Sequence, residues 1–402
     1  MIPLDDALAH VRDRIRPLPS QRVPLARAVG CVTAERVTAS TPVPPFDNSA
    51  VDGFALGDVS PPPGTWHRVV ATVAAGDTGD VRIEPGAAAR IMTGAPVPPG
   101  TRGVAMVEHT SLRPRPDGGE DVCVDRAVAA DANIRRAGED LAAGDVAVDE
   151  SVLLRPAHLG VLASVGRSEV DAVGRPTVAV LSTGDELVPP GTPLRRGQIP
   201  DSNRGVLIAL CRAAGCEVVD LGLVGDDEDA VERALRAGAA SADVIVSSGG
   251  VSMGDFDPVK AVLGRIADMR WMQIAIKPAK PFAFGVLDGV PVFGLPGNPV
   301  SSVVSFELLA RPALRRMAGL PFAGRPTFTA VAGEGFRRRE DGKTHYIRVR
   351  VDDSTDDLRS VRSTGGQGSH QMSALASADG LAVLPDGPGV EAGERLQVIP
   401  LD

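Results

Sequence analysis

Hydroxyls, carboxylates and glycines recur together in three segments of the sequence: STGDEL (182–187), SSGGVSMGDFD (247–257) and GLPGNPVSS (294–302). Glycine lets backbone approach a ligand closely, its N–H groups favour an anion, and Ser or Thr beside it adds donors. Three such loops together point to a phosphate cradle, whereas one alone is an ordinary turn. The same region is acidic. Asp185 and Glu186 lie in the first segment, Asp255 and Asp257 in the second, and Asp226 and Asp227 follow another apolar run. Carboxylates at several loop ends can hold Mg²⁺, which takes one or two of them together with waters and substrate phosphates. Asp226 and Asp227 suit helix capping equally well.

Lysine is the second signal. Only four of the 42 basic residues are lysine, and Lys260, Lys277 and Lys280 crowd into 260–280; Lys343 is the fourth. In AIKPAKPFAFG (275–285), Lys277 and Lys280 are each followed by proline, which stiffens the chain and fixes where the ammonium groups point. A compact point charge suits a phosphate or another oxyanion where arginine would offer a planar fork. Lys260, near a predicted helix start, is open between this role and a structural one. PFDNSAVDGFA (45–55) and RIMTGAPVP (90–98) carry a density of polar residues that fits turns or one wall of a site.

The elements that must position these groups follow from the apolar pattern. Residues 4–15 have helical periodicity and stop before Pro17. Residues 46–139 hold short apolar runs separated by Gly, Pro and Asp, the mark of a small β domain. From 175 onward, strand and helix patterns alternate, which predicts a multidomain chain whose centre is an α/β domain with a mostly parallel sheet. Strands are expected at 177–182, 217–223, 243–248, 270–276, 281–286 and 290–295, and a final helix over 300–317. The three glycine loops follow strands, and ligands of open α/β sheets bind outside such strand ends. After 320 the pattern is again all-β, a barrel or sandwich. The expected division is 1–45 with 140–172 as one composite helical and extended domain, 46–139 inserted into it, 173–320, and 321–402.

Composition excludes several classes. No apolar run approaches the roughly 20 residues that span a bilayer, and the first residues carry acids where a secretory signal would be apolar. A net charge of −9 and few aromatics argue against nucleic-acid binding. Four cysteines match no zinc or disulfide framework and are expected as buried free thiols in the cytoplasm. The six histidines show no metal spacing and are expected to be structural. GxxxxGK[ST], a strand-borne GxGxxG and GxSxG are all absent, so P-loop, dinucleotide and serine-hydrolase chemistry gain no support.

Together PFDNSAVDGFA, RIMTGAPVP, AGEDLAAGD, LSTGDELVPPG, IPDSNRG, VSSGGVSMGDFD, AIKPAKPFAFG and GLPGNPVSS resemble the molybdopterin molybdenumtransferase family, the molybdenum insertases, whose eukaryotic relatives include the C-terminal domain of gephyrin. The matches run in family order over nearly the whole chain. The resemblance implies a four-domain homodimer with a molybdopterin-binding α/β domain and a C-terminal β barrel. It implies insertion of molybdate into adenylylated molybdopterin, with Mg²⁺-dependent cleavage of the adenylyl link and release of AMP. It further implies contact with the molybdopterin adenylyltransferase and with molybdoenzymes, and none with membrane or nucleic acid.

Roles carried over by position are as follows. Asp185, Glu186, Asp226, Asp227 and Asp257 would serve the metal, with Glu186 and Asp257 also catalytic. Lys277 and Lys280 would neutralise charge as the phosphoanhydride breaks. Ser182, Thr183, Gly184, Ser247, Ser248, Gly249, Gly250, Gly294, Pro296, Gly297, Asn298, Pro299 and Ser301 would bind substrate, joined by Arg348 and Ser369 of the last domain. Asp52 and Thr93 would approach from the partner subunit. Ala279 stands where glycine is common in the family and Phe54 where tyrosine is; Met253 and Phe256 also vary. Two other functions remain open on the same residues, a non-catalytic molybdopterin-binding homologue and a nucleotide-dependent hydrolase.

Overall fold

The computed structural model describes residues 1–251, 258–352 and 358–401. The chain forms two compact units. One comprises residues 1–21, 30–34 and 172–402; the other comprises 22–29 and 35–171.

The larger unit opens with helix α1 (Leu4–Arg14). Its α/β part contains β1 (Thr177–Thr183), α2 (Asn203–Ala213), β2 (Glu217–Val224), α3 (Glu228–Ser241), β3 (Val244–Ser248), α4 (Pro258–Ile266), β4 (Asp268–Gln273), β5 (Pro281–Leu287), β6 (Val290–Leu295), α5 (Pro299–Ser305) and α6 (Arg311–Met317). The sheet order is β2-β1-β3-β6-β5-β4. The pairings among β2, β1, β3 and β6 are parallel, and β5 and β4 add an antiparallel edge. Strand β1 is buried along almost its whole length, which is why TVAVLS reads as a continuous apolar run and not an alternating one.

Two cores cover the sheet. On one face, Ala7 and Val11 of α1 and Ile15 just after it pack with Leu207, Phe284, Phe293, Phe306 and Met317. On the other, Val231 and Leu235 of α3 pack with Val259, Val262 and Leu263 of α4. The ring of Phe284 lies 4.9 Å from that of Phe293 and meets His10 edge-on at 5.9 Å. Burying each such phenyl stabilises the fold by roughly 1.5–3 kcal/mol. Helix α1 thus shares the α/β core.

The helix expected over 300–317 is present but widens into a π turn at Phe306–Ala310. Pro312 follows directly and has no N–H to donate to the turn before it. Gly215 ends α2 at φ +85°, as the sequence suggests.

The C-terminal part is a closed barrel. Strands β7 (Phe328–Ala332), β8 (Thr344–Asp352), β9 (Ser360–Ser363), β10 (Gly380–Leu384) and β11 (Arg395–Pro400) run β8-β9-β7-β11-β10 and return to β8. A two-residue strand, Ile276–Lys277, pairs in parallel with the start of β8, Ile276 with Thr344 and Lys277 with His345. That pairing fastens the lysine segment to the barrel.

The smaller unit contains a six-stranded sheet ordered 103–106, 53–56, 87–91, 65–73, 120–124, 110–114. Phe54 is fully buried in its core. A short helix, Pro156–Ser164, opens on proline, the best-tolerated position for that residue. Among the described residues no helix is long and apolar enough to cross a membrane.

Candidate functional site

The parallel strands β1, β2, β3 and β6 all end on one side of the sheet, so the loops after them converge. They enclose a cavity of about 580 Å³. Ten of the sequence candidates line it: Thr183, Gly184, Glu186, Asp226, Ser248, Gly249, Gly250, Gly297, Asn298 and Pro299. Gly249 and Gly250 have φ of +99° and +77°. A side chain at Gly250 would collide with Val259, so glycine is required both by conformation and by space.

Other candidates sit behind this lining. Ser182 is fully buried and its hydroxyl donates to Asp201 Oδ1 at 3.2 Å. Ser247 is fully buried, and its hydroxyl has no partner among the described residues. Gly294 belongs to strand β6, where a Cβ would meet Val251 and Ala283, so it serves packing. Pro296 is not part of the lining.

The acids divide in the same way. Asp227 caps α3, its Oδ1 accepting from the Ala230 N–H at 2.8 Å. Asp185 Oδ1 accepts from the Asp226 N–H at 2.9 Å, and Asp226 Oδ2 accepts from the Asp185 N–H at 3.4 Å, which locks the two loops together. The Glu186 carboxylate makes no hydrogen bond with the other described residues and faces the cavity. Asp257 and Asp255 lie outside the described residues. Among the described residues no cluster of three potential ligands exists. Glu186 and Asp226 both line the cavity, and Mg²⁺ takes only one or two protein carboxylates and fills its shell with water and phosphate oxygens.

Residues 199–203 of IPDSNRG line this cavity, and Asp201 and Asn203, neither among the site candidates, fix its loops. Asp201 accepts from the Asn203 N–H at 3.2 Å, the Arg204 N–H at 3.1 Å and Arg204 Nε at 3.0 Å. Asn203 Nδ2 donates to Ser248 Oγ at 2.8 Å and to the Gly297 carbonyl at 2.6 Å, tying three loops together. The signal was the polar run directly before α2.

A second cavity, of about 360 Å³, adjoins along the chain at 298–301 and 369–370. Lys277, Lys280 and Lys343 line it with Ser301 and Ser369. Three of the four lysines therefore share one pocket, but the set differs from the one the sequence window suggested. Lys260 lies over the Trp271 ring at 5.9 Å. Its place is taken by Lys343, whose Nζ is held 2.9 Å from Asp341 Oδ2. Lys277 and Lys280 belong to this second pocket, not to the glycine-loop lining. Between them Ala279 has φ +79°, a conformation that costs an L-residue energy and explains why glycine suits the position.

Asp341 also accepts from Arg338 at 2.8 Å and lies 3.2 Å from His345 Nε2. Lys343 and then His345 hold its carboxyl well below the usual carboxylate range. Burial pushes His345 down, and Asp341 opposes that shift in part.

Arg348, expected to face substrate, is fully buried behind the pocket wall. Its Nη2 donates to the carbonyls of Gly366 at 2.6 Å and Gly368 at 3.2 Å. Its Nε and Nη1 have no partner among the described residues, and burial lowers its pKa. The residue positions the loop that carries Gln367, Gly368 and Ser369 into the lysine pocket.

In the smaller unit Gly53 pairs with Ile91, so Asp52 and Thr93 leave the sheet side by side. Asp52 Oδ1 accepts from the Thr93 N–H at 2.7 Å and from its hydroxyl at 2.9 Å. The backbone bond first and the hydroxyl second lower the Asp52 pKa.

Comparison with known proteins covers the same ground from outside. Residues 2–166 match the MoeA N-terminal region (domain I and II). Residues 179–316 match the family described as a "Probable molybdopterin binding domain", and 329–401 match the MoeA C-terminal region (domain IV). The chain is 37% identical to a molybdopterin molybdenumtransferase of Haemophilus influenzae, over 100% of this chain and 99% of that protein. It is 39% identical to molybdopterin molybdenumtransferase 2 of Mycobacterium tuberculosis, over 94% of each. A crystal structure of a Pyrococcus horikoshii molybdopterin biosynthesis moeA protein aligns with a TM-score of 0.77 at 28% identity, over 100% of this chain and 99% of that one.

Proposed function

The chain belongs to the MoeA family of molybdopterin molybdenumtransferases, and from that premise we propose that it completes the molybdenum cofactor by inserting molybdate into adenylylated molybdopterin with release of AMP. The observation that carries the reading is the pair of adjoining cavities with complementary chemistry. One is walled by glycine loops, hydroxyls and carboxylates; the other is walled by three lysines and two serines.

In this reading the glycine-loop cavity holds the phosphoanhydride and the pterin phosphate. Backbone N–H groups of Gly250 and Gly297, with Thr183 and Ser248, are the donors, while the Gly249 N–H ties its loop to the Leu295 carbonyl at 3.1 Å. Glu186 and Asp226 would hold Mg²⁺, with Asp226 oriented by Asp185, and Asp257 is retained as a further proposed ligand. When bound, the ion neutralises phosphate charge and polarises the P–O bond that breaks. Asn203 and Asp201 fix the loops at the spacing the substrate needs.

Molybdate is a tetrahedral dianion, and the lysine pocket offers it ammonium donors that can approach from several sides. Lys277, Lys280 and Lys343 compensate its charge, while Ser301 and Ser369 donate hydroxyls. Arg348 holds the Ser369 loop in place. A homodimer in which Asp52 and Thr93 complete the partner's site, action in the cytoplasm, and contact with the adenylyltransferase that supplies the substrate and with molybdoenzymes that take the product complete the proposal. So does the four-part division of the chain at 45, 139, 172 and 320.

The test is incubation of the purified chain with adenylyl-molybdopterin, molybdate and Mg²⁺. Release of AMP together with active cofactor supports the reading. AMP release without molybdate incorporation identifies a hydrolase, and no AMP release identifies a non-catalytic binder.

A further inference from the structure

We infer that His370 is a substrate-contacting residue of the glycine-loop cavity, where its imidazole N–H donates to the phosphates of a bound nucleoside diphosphate. The inference rests on the functional reading above and adds to it a residue that the sequence marked as structural.

The charge of the cavity makes the case. Its described lining carries the carboxylates of Glu186, Asp201 and Asp226 and neither lysine nor arginine. Asp201 is paired with Arg204, so an anionic ligand entering there meets the Glu186 and Asp226 carboxylates of its own sign. Backbone N–H groups offset this in part, but among the side chains of the described lining only one is basic, and that is His370. Its imidazole is exposed and takes part in no hydrogen bond or ion pair with another described residue. A ring nitrogen carries a proton in every imidazole state near neutrality, so the side chain offers a donor whether charged or not.

The loop beneath His370 is built to hold it. Arg348, on the strand face opposite Ile347 and Val349 of the barrel core, grips the Gly366 and Gly368 carbonyls. The Gly368 N–H donates to Gln371 Oε1 at 2.6 Å, and the Val300 N–H donates to the Ser369 carbonyl at 3.0 Å. A donor presented by a loop fixed at several points loses little freedom when it captures a ligand. The adjacent Ser369 lines the lysine pocket, so one short turn presents a side chain to each cavity. The C-terminal barrel thereby contributes to both halves of the site.

The experiment is calorimetric titration of ADP with Mg²⁺ into the full chain and into His370→Ala and His370→Gln. Loss of a hydrogen bond to a charged group predicts about ten-fold weaker ADP binding in His370→Ala. Recovery of part of that loss is expected in His370→Gln, whose amide keeps a donor. Molybdate binding should be unchanged in both, which separates a contact from a disturbed loop. Affinity for ADP within about two-fold of wild type in His370→Ala overturns the inference and leaves the functional reading standing. A parallel loss of molybdate binding also overturns it, because the effect is then structural. A wild-type chain that binds no ADP overturns both.

Discussion

Lys277 lies opposite His345 in a two-residue parallel pairing that joins the lysine segment to strand β8 of the C-terminal barrel. Because Asp341 contacts His345 and Lys343 on the barrel side, the pairing also sets the distance between Lys277 and Lys343 across one cavity. The oxyanion pocket is therefore built from two structural layers, and its geometry depends on their registry.

The first prediction concerns Lys343. Replacing it with alanine removes one ammonium from the lysine pocket and none from the glycine-loop cavity. Molybdate affinity should fall about ten-fold, while ADP affinity stays as in wild type. Equilibrium dialysis with molybdate and calorimetry with ADP measure the two. Equal losses of both would mean that Lys343 supports the fold and not the oxyanion.

A second prediction concerns Glu186. Loss of an outer partner of a metal ligand alone costs about 10–100-fold in metal affinity, so Glu186→Gln should cost at least as much in Mg²⁺ affinity. AMP release should then need far more Mg²⁺ to saturate, with thermal stability unchanged because the carboxylate has no partner in the described structure. An unchanged Mg²⁺ requirement would remove Glu186 from the metal site.

Asp341 gives a pH signature. Its folded pKa is depressed, so the stability it contributes is present above the ordinary carboxylate pKa and is lost as pH falls toward the folded value. Wild type should melt above Asp341→Asn at pH 7, and the difference in Tm should shrink progressively below about pH 4. A difference constant down to pH 3 would show that the ion pair with Lys343 is not its source.

The thiols supply a further check. Cys31, Cys123, Cys211 and Cys216 are buried thiols outside any disulfide. Burial pushes Cys216 up to about 12 and Cys211 higher still, so neither is a thiolate near neutrality. Iodoacetamide should leave Cys211 and Cys216 unlabelled in the native protein and label all four in guanidinium. Rapid native labelling of Cys211 would place it at a surface instead.

These residues also mark what the sequence could reveal. The α/β order was legible because buried parallel strands such as Thr177–Thr183 are continuous apolar runs and glycine loops follow them. The strand pattern left barrel and sandwich open and the family resemblance pointed to the barrel, since closure depends on β8 pairing with both β9 and β10. Lys343 was invisible because it enters the pocket through the pairing of Lys277 with His345, a contact between distant segments. Arg348 was visible as a candidate, but its burial behind the loop was not, since a lone arginine in a strand gives no sign of which way it faces. His370 was passed over because an isolated histidine has no spacing to argue from. Asp227 shows the reverse: capping and metal binding look alike in sequence, and the bond to Ala230 is what the fold adds.

The most direct measurement is anomalous diffraction at the molybdenum edge from crystals grown with ADP, Mg²⁺ and molybdate. The account predicts one molybdenum peak among Lys277, Lys280 and Lys343, with the nucleotide phosphates in the neighbouring glycine-loop cavity. Molybdate found in the glycine-loop cavity in place of the phosphates, with the lysine pocket empty, would contradict it.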